Sequence, residues 1–127
     1  MLPNFLLPDQ VVRKNGTGPA IELEESSTSG VSVTLGINRI IEQESLEVVI
    51  RGSVDGTNWE GKPLAVFPQK FYCGAYSVFI DLSESRDIRY LRAEWKVNRW
   101  GRGEQTPLFG IYVFAEPLPA GVLTAAV

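Results

Sequence analysis

The side chains that could carry out acid–base chemistry in this chain are carboxylates, because its 127 residues contain no histidine. Histidine is the residue that most often transfers protons in enzymes, whereas glycoside hydrolysis can proceed with a pair of carboxyl groups. The candidates for such a pair are Glu42, Glu44, Glu47 and Asp81. Their spacing does not distinguish two of them from the others, so we expect that the protein is not an enzyme.

The one cysteine, Cys73, has no partner for an intramolecular disulfide. Nothing therefore indicates an oxidising compartment. Its aromatic neighbours in the sequence are Phe71, Tyr72 and Tyr76. These neighbours predict a packed structural thiol, because a nucleophilic cysteine needs a basic partner that lowers its pKa, and histidine is absent.

A turn with two oxygen ligands is the remaining candidate for chemistry. Residues 53–59 read SVDGTNW, in which Asp55 and Asn58 could contact a cation. Calcium takes roughly six to eight oxygen ligands, so two side chains are too few. Glycine accepts positive φ, and aspartate can hydrogen-bond to its own backbone. We therefore predict that Asp55 and Gly56 form a structural turn, and we expect no metal and no cofactor.

Short runs of alternating apolar and polar residues precede and follow this turn. A period of two indicates strands that bury one face. The alternating runs are residues 31–37, 46–50, 76–82 and 88–97, and a long apolar run at residues 108–115 predicts a central strand. Trp59 and Trp95 are predicted to point into the core. We predict an all-β fold, a single antiparallel β-sandwich or jelly roll over residues 21–115, with a closed barrel as the alternative.

Both ends of the chain are apolar and are predicted to be extended arms, over residues 1–20 and 116–127. Each arm could cover its own sandwich or lie on a neighbouring copy. The side chains predicted to make interface contacts are Phe5, Leu6, Leu7, Leu118, Val122 and Leu123. If the first arm lies on a neighbouring copy, a chain without residues 1–8 folds but does not assemble.

Residues 86–102 combine half of the basic side chains with three aromatic ones. The side chains predicted to form an exposed contact surface are Tyr90, Arg92, Arg99, Trp100 and Arg102. Three interpretations remain open: a solvated strand face with paired charges, a protein contact surface, or a surface for sugar or nucleic acid. Trp100 is the predicted anchor, because Trp and Arg are enriched at interface hot spots.

The first eight residues, MLPNFLLP, do not predict a signal peptide. They have no basic region, their apolar run is short, and two prolines interrupt it. No stretch approaches the roughly 20 apolar residues of a membrane-spanning helix. We expect synthesis in the cytoplasm. The net charge of −3 gives no general attraction to nucleic acid or to anionic membranes, so neither is an expected partner.

Two groups of proteins share motifs with this sequence. The S-x-D-G-x-N-W turn at residues 53–59 and the R-Y-L-R strand at residues 89–92 resemble those of discoidin (coagulation factor C-type) domains, although the terminal cysteine pair usual in that family is absent. This resemblance implies a jelly-roll lectin or adhesion module. Residues 46–59, 89–95 and 109–111 also resemble small proteins encoded beside capsid and tail genes in tailed phages and prophages. That resemblance implies a virion component.

The apolar ends favour the resemblance to phage proteins, because a lectin module is usually a compact domain whose termini are polar and linker-like. We expect a non-enzymatic structural protein of a phage-like particle, either a capsid decoration (cement) protein or another virion component. Its expected partners are further copies of itself, with a trimer as one candidate oligomer, and a major capsid or other virion protein. The alternative is a carbohydrate-binding or adhesion module that uses Trp100 and Tyr90.

Overall fold

The computed structural model describes residues 2–23, 30–59, 61–83, 87–100 and 106–118. Within these ranges the chain forms strands and no helix. The strands are β1 (Asn4–Val12), β2 (Gly16–Thr17), β3 (Ile21–Glu22), β4 (Gly30–Arg39), β5 (Glu44–Ser53), β6 (Ala65–Lys70), β7 (Gly74–Asp81), β8 (Tyr90–Arg99) and β9 (Phe109–Leu118). No helix capable of crossing a membrane occurs in the described ranges. The prediction of an all-β fold is confirmed.

The strands form two antiparallel sheets that pack against each other. Sheet A has the order β1-β9-β4-β7, and sheet B has the order β2-β8-β5-β6, with β3 also pairing with β8. If β2 and β3 are counted as one interrupted edge strand, the first strand pairs with the last, the second with the next to last, and so on inward to the hairpin β5-β6. This nested pairing is that of a jelly roll. The predicted sandwich is therefore confirmed, and the closed barrel is wrong.

The hydrophobic core lies between the two sheets and is built from alternate residues of the long strands. The buried side chains of β4, β5, β8 and β9 include Val31, Val33, Leu35, Leu46, Val48, Ile50, Leu91, Ala93, Trp95, Phe109, Ile111 and Val113. The alternation in the sequence predicted the inward faces of β4, β5 and β8 correctly, and Trp95 belongs to the core as expected. Strand β9 lies between β1 and β4, so it is a central strand.

The first predicted arm is part of the sandwich. Strand β1 pairs along its length with β9 and forms an edge of sheet A. Leu6 and Leu7 are both buried in the core of their own chain, so their assignment as contacts with a neighbouring copy is wrong. The pairing shifts register on either side of Leu7, and such an irregularity lets two successive side chains point inward. Only Phe5 of the predicted contacts in this arm is exposed.

The first three residues of the second predicted arm belong to a strand. Residues 116–118 are the last residues of β9, and Leu118 pairs with Gly30 and is half-buried. The prediction of an arm over residues 116–127 is therefore wrong for its first three residues. Val122 and Leu123 lie outside the described residues, so their predicted role as interface contacts stays a prediction.

The Asp-Gly turn is confirmed and closes one end of sheet B. Gly56 has φ of +80°, a value that glycine adopts without steric cost. The Asp55 carboxylate accepts hydrogen bonds from the backbone N–H groups of Asn58 (2.8 Å) and Thr57 (2.9 Å) and from the Ser53 hydroxyl (3.0 Å). These bonds stabilise the ionised form and hold the pKa of Asp55 well below its ordinary value.

We expect the substitution Asp55→Ala to lower the urea midpoint of unfolding at neutral pH. The folded state depresses the pKa of Asp55, so its stabilising contribution is present above the unfolded-state pKa of about 3.9 and disappears as the pH falls toward the folded-state pKa. The difference in midpoint between wild type and variant should therefore shrink below about pH 4. Asp87→Ala, at an exposed carboxylate after β7, serves as the control and should change the midpoint little at any pH.

Candidate binding surfaces

The predicted contact surface around Trp100 is divided between the two ends of the sandwich. Tyr90 and Trp100 stand at opposite ends of β8, and the strand separates them by about 30 Å at 3.3 Å per residue. Tyr90 packs near Gly56 in the Asp-Gly turn, whereas Trp100 lies beside Phe71. Arg102 lies outside the described residues. The sequence segment is continuous, but its side chains do not form one surface.

Arg92 belongs to a charge network on the outer face of sheet B. Its guanidinium donates two hydrogen bonds to Glu94, which also accepts one from Arg51 at 2.8 Å. Partial burial raises the pKa of Glu94, but the hydrogen bonds from the two arginines outweigh this effect, and its pKa is lowered. Trp59 is half-buried and stacks on Arg92 at 4.4 Å. It is not among the residues of the core, so its predicted place there is wrong. This part of the segment is a strand face with paired charges.

An exposed aromatic cluster surrounds Trp100 at the other end of the sandwich. Phe71 contacts Trp100 with ring centroids 6.1 Å apart, and it contacts Tyr72 at 6.4 Å. Tyr72 is 73% exposed and Trp100 is 53% exposed. Together with residues 40–44, these three rings line a pocket of about 410 Å³, which we call the loop pocket. The rings of Phe71 and Tyr72 face outward and are not part of the core.

Two hydrogen bonds to backbone carbonyls fix the conformation of the loop pocket. The N–H of Trp100 donates to the carbonyl of Gln43 at 3.0 Å, and the Arg99 side chain donates to the carbonyl of Glu42. Gln43 itself has φ of 59°, in the left-handed region that residues other than glycine rarely adopt. Local strain of this kind persists where the surrounding structure fixes it, and it is common at ligand sites.

Glu44, a candidate catalytic carboxylate in the sequence, has a structural role beneath the loop pocket. It is 2% exposed. One of its carboxylate oxygens accepts a hydrogen bond from the N–H of Ile41 (2.9 Å), and the other accepts one from the N–H of Leu108 (2.7 Å). Glu44 therefore fastens the β4–β5 connection to the segment that leads into β9. No local pattern indicates this burial, because Glu44 stands between the polar residues Gln43 and Ser45.

The outer face of sheet A is a second exposed aromatic surface, and we call it the aromatic face. Cross-strand pairing places Phe5 beside Phe114, with ring centroids 4.8 Å apart, and Tyr112 lies at 6.2 Å from Phe5. On the opposite edge strand, Phe79 is 62% exposed. The Tyr112 ring lies directly over Gly36, where even a Cβ atom would collide with it. A surface depression of about 490 Å³ lies among these side chains.

The polar side chains of the aromatic face are hydroxyl groups, carboxylates and the amide of Asn38, which donates a hydrogen bond to Asp9 at 3.0 Å. Thr34 and Ser77 form a hydrogen-bonded pair at 3.2 Å in the middle of the face. Asp9 and Glu116 line the depression, and Asp81 points to the same side of β7 as Phe79. A sheet face in water is expected to be polar, so a face with exposed Phe side chains indicates an interaction surface.

Two further sequence predictions concern cysteine and metals. Cys73 is exposed beside Tyr72, so the prediction of a packed thiol is wrong. In the described ranges, no three Cys, Asp or Glu side chains are grouped so that they could hold a metal ion. Comparison of the chain with protein-family models, with curated proteins and with solved structures finds no match.

Proposed function

We propose that this protein is a non-enzymatic structural component of a phage-like particle, a capsid decoration (cement) protein or another virion protein, which acts by packing its aromatic face against neighbouring subunits. The observation that carries the proposal is the exposure of Phe5 and Phe79 on the outer face of sheet A. A patch of this kind on a protein surface usually marks a contact with another protein. The jelly roll is used by viral capsid proteins and also by lectins, so the fold is compatible with the proposal without deciding it.

The charges that border the aromatic face indicate the chemistry of its partner. Asp9, Asp81 and Glu116 are all acidic. Two copies packed through this same face would bring these carboxylates together, and like charges across an interface cost several kcal/mol. The favoured partner surface is therefore apolar with basic residues beside it. The virion lattice is one proposed source of such a surface.

A second copy of the chain offers a surface of this kind on its sheet B. Val66 is exposed there, and Val49 is paired with it across the strands. The charged side chains on that face are three basic ones, Arg51, Arg92 and Lys96, and two acidic ones, Glu47 and Glu94, so one basic charge is in excess although Glu94 pairs with both arginines. A contact between the aromatic face of one copy and sheet B of the next joins two different surfaces, so it can continue from copy to copy.

The proposal predicts that replacing exposed aromatic side chains weakens association without unfolding the protein. Wild type is expected to form species larger than a monomer in light scattering as its concentration is raised from the micromolar range upward. The double variant Phe5→Ser, Phe79→Ser should need at least about tenfold higher concentration for the same average mass, because two apolar contacts are lost. Its circular dichroism spectrum should match that of wild type.

Val54→Ser is the matched control for this experiment. Val54 is an exposed apolar residue in the connection after β5 and lies on neither sheet face, so its replacement should leave the association unchanged. A wild type that stays monomeric at every concentration would contradict association between copies. An equal effect of the control and the double variant would contradict the assignment of the contact to the aromatic face.

A carbohydrate-binding or adhesion module is the second candidate function. The observation that favours it is the loop pocket, in which Trp100 and Tyr72 present exposed rings. Tyr90, which the sequence analysis placed in the same platform, is at the other end of the sandwich and does not contribute. The loop pocket and the aromatic face involve different residues, so one protein can have both functions.

A further inference from the structure

The loop pocket combines aromatic rings with hydrogen-bonding side chains at a site whose backbone is fixed. Its volume of about 410 Å³ lies within the range of roughly 300–1,000 Å³ that is typical of small-molecule sites. Three separate connections supply its walls: the segment between β4 and β5, the segment between β6 and β7, and Trp100 after β8. Exposed rings that are held in place by backbone hydrogen bonds lose little conformational freedom on binding.

The groups that border the pocket match the surface of a sugar ring. A pyranose has one face of C–H groups, which packs on an aromatic ring, and hydroxyl groups around its edge, which need donors and acceptors. Trp100 and Tyr72 provide the rings. The exposed side chains of Glu42 and Gln43 provide a carboxylate and an amide at the margin.

The charge of the pocket narrows the ligand class. Glu42 and the buried Glu44 are the ionisable side chains among residues 40–44, and both are acidic. The Arg99 side chain donates to the backbone carbonyl of Glu42 and does not pair with a carboxylate there. Because the exposed Glu42 side chain presents a carboxylate at the pocket, anionic sugars and the phosphates of nucleic acids are disfavoured. A neutral sugar has no charge that this carboxylate would repel.

We infer that the loop pocket binds a neutral hexose unit of an oligosaccharide, with Trp100 and Tyr72 as the stacking platform and Glu42 and Gln43 as hydrogen-bonding partners of its hydroxyl groups. This inference rests on the second candidate function and names its ligand class and its residues. It does not depend on assembly through the aromatic face, so either can fail without the other.

The test is an array of immobilised oligosaccharides, with neutral glycans that end in glucose, galactose, mannose or N-acetylglucosamine and with sialylated glycans for comparison. Wild type should bind one or more neutral glycans and none of the sialylated ones. Trp100→Ala and Tyr72→Ala should each reduce binding by about tenfold to a hundredfold, the range measured when a stacking aromatic side chain is removed. Titration of tryptophan fluorescence with the soluble form of the bound glycan should give the same ranking.

Val54→Ala is the control, since Val54 is an exposed apolar residue that lies outside both the loop pocket and the aromatic face. It should bind glycans as wild type does, and all three variants should keep the wild-type urea midpoint. An array without a neutral glycan signal would overturn the inference. Wild-type binding by Trp100→Ala, or a preference of the wild type for sialylated glycans, would overturn it as well.

Discussion

A chain that lacks residues 2–8 is expected not to reach the native fold. These residues include half of β1, whose loss leaves the neighbouring part of β9 without its pairing partner on that side of sheet A. The deletion also removes Leu6 and Leu7, both buried in the core. Since a domain of this size has a free energy of unfolding of about 5–15 kcal/mol, the loss of a strand and two core leucines removes much or all of it. Circular dichroism and proteolysis of the purified variant would measure the result.

A pair of point variants makes the same test in a chain of full length. Leu6→Ala should reduce the free energy of unfolding by about 2–5 kcal/mol, because it leaves a cavity in the core. Phe5→Ala, at the preceding residue with an exposed side chain, should cost much less. The interpretation of residues 1–20 as an arm on a neighbouring copy predicts the opposite result for the deletion, a folded monomer that does not assemble. Such a monomer would contradict the strand pairing described for β1.

The second large effect is expected at Glu44. Replacing it with alanine leaves the backbone N–H groups of Ile41 and Leu108 without their acceptor in a buried place and adds a cavity. A buried donor without a partner costs roughly 1–3 kcal/mol, so we expect Glu44→Ala to lower the free energy of unfolding by about 2–5 kcal/mol. Urea denaturation monitored by tryptophan fluorescence would measure the change.

Two further variants distinguish the carboxylate's role from a general effect of substitution on β5. Glu47→Ala changes an exposed glutamate three residues away and should alter the free energy of unfolding by no more than about 0.5 kcal/mol. Glu44→Gln keeps the size and one carbonyl oxygen of the side chain, but its amide nitrogen faces a second donor, so its effect should fall between the two alanine variants. Equal midpoints for Glu44→Ala and Glu47→Ala would contradict the two hydrogen bonds.

Glu44 also shows a limit of reasoning from the sequence. In the sequence it is one of four candidate catalytic carboxylates, with Glu42, Glu47 and Asp81, and no local pattern distinguishes it from the other three. Its burial depends on Leu108, which is 64 residues away in the chain. Such a contact leaves no trace in the spacing of neighbouring residues. The sequence did not predict the loop pocket for the same reason, since Phe71, Trp100 and Gln43 come from three separate connections.

The sequence determined the features that depend on neighbouring residues. Side chains alternate along a strand, so the inward faces of β4, β5 and β8 followed from their apolar positions, whereas the apolar run of β9 indicated only a central strand. Glycine and aspartate define a tight turn through their own backbone and side chain, so the turn at Asp55 and Gly56 also followed. The all-β class followed from the same short-range patterns.

Only the tertiary structure decided which strands pair and which apolar side chains stay outside. The segment around Leu6 does not alternate and contains prolines, so its sequence resembles an arm. It is a strand because β9 offers an edge and because a shift of register turns Leu6 and Leu7 into the core together. Phe5 and Phe79 are as apolar as the core residues, but they point to the other side of their strands. The aromatic face therefore exists only because β1 pairs with β9 and β7 pairs with β4. These pairings place side chains from two strands that are distant in the sequence on the same face of one sheet.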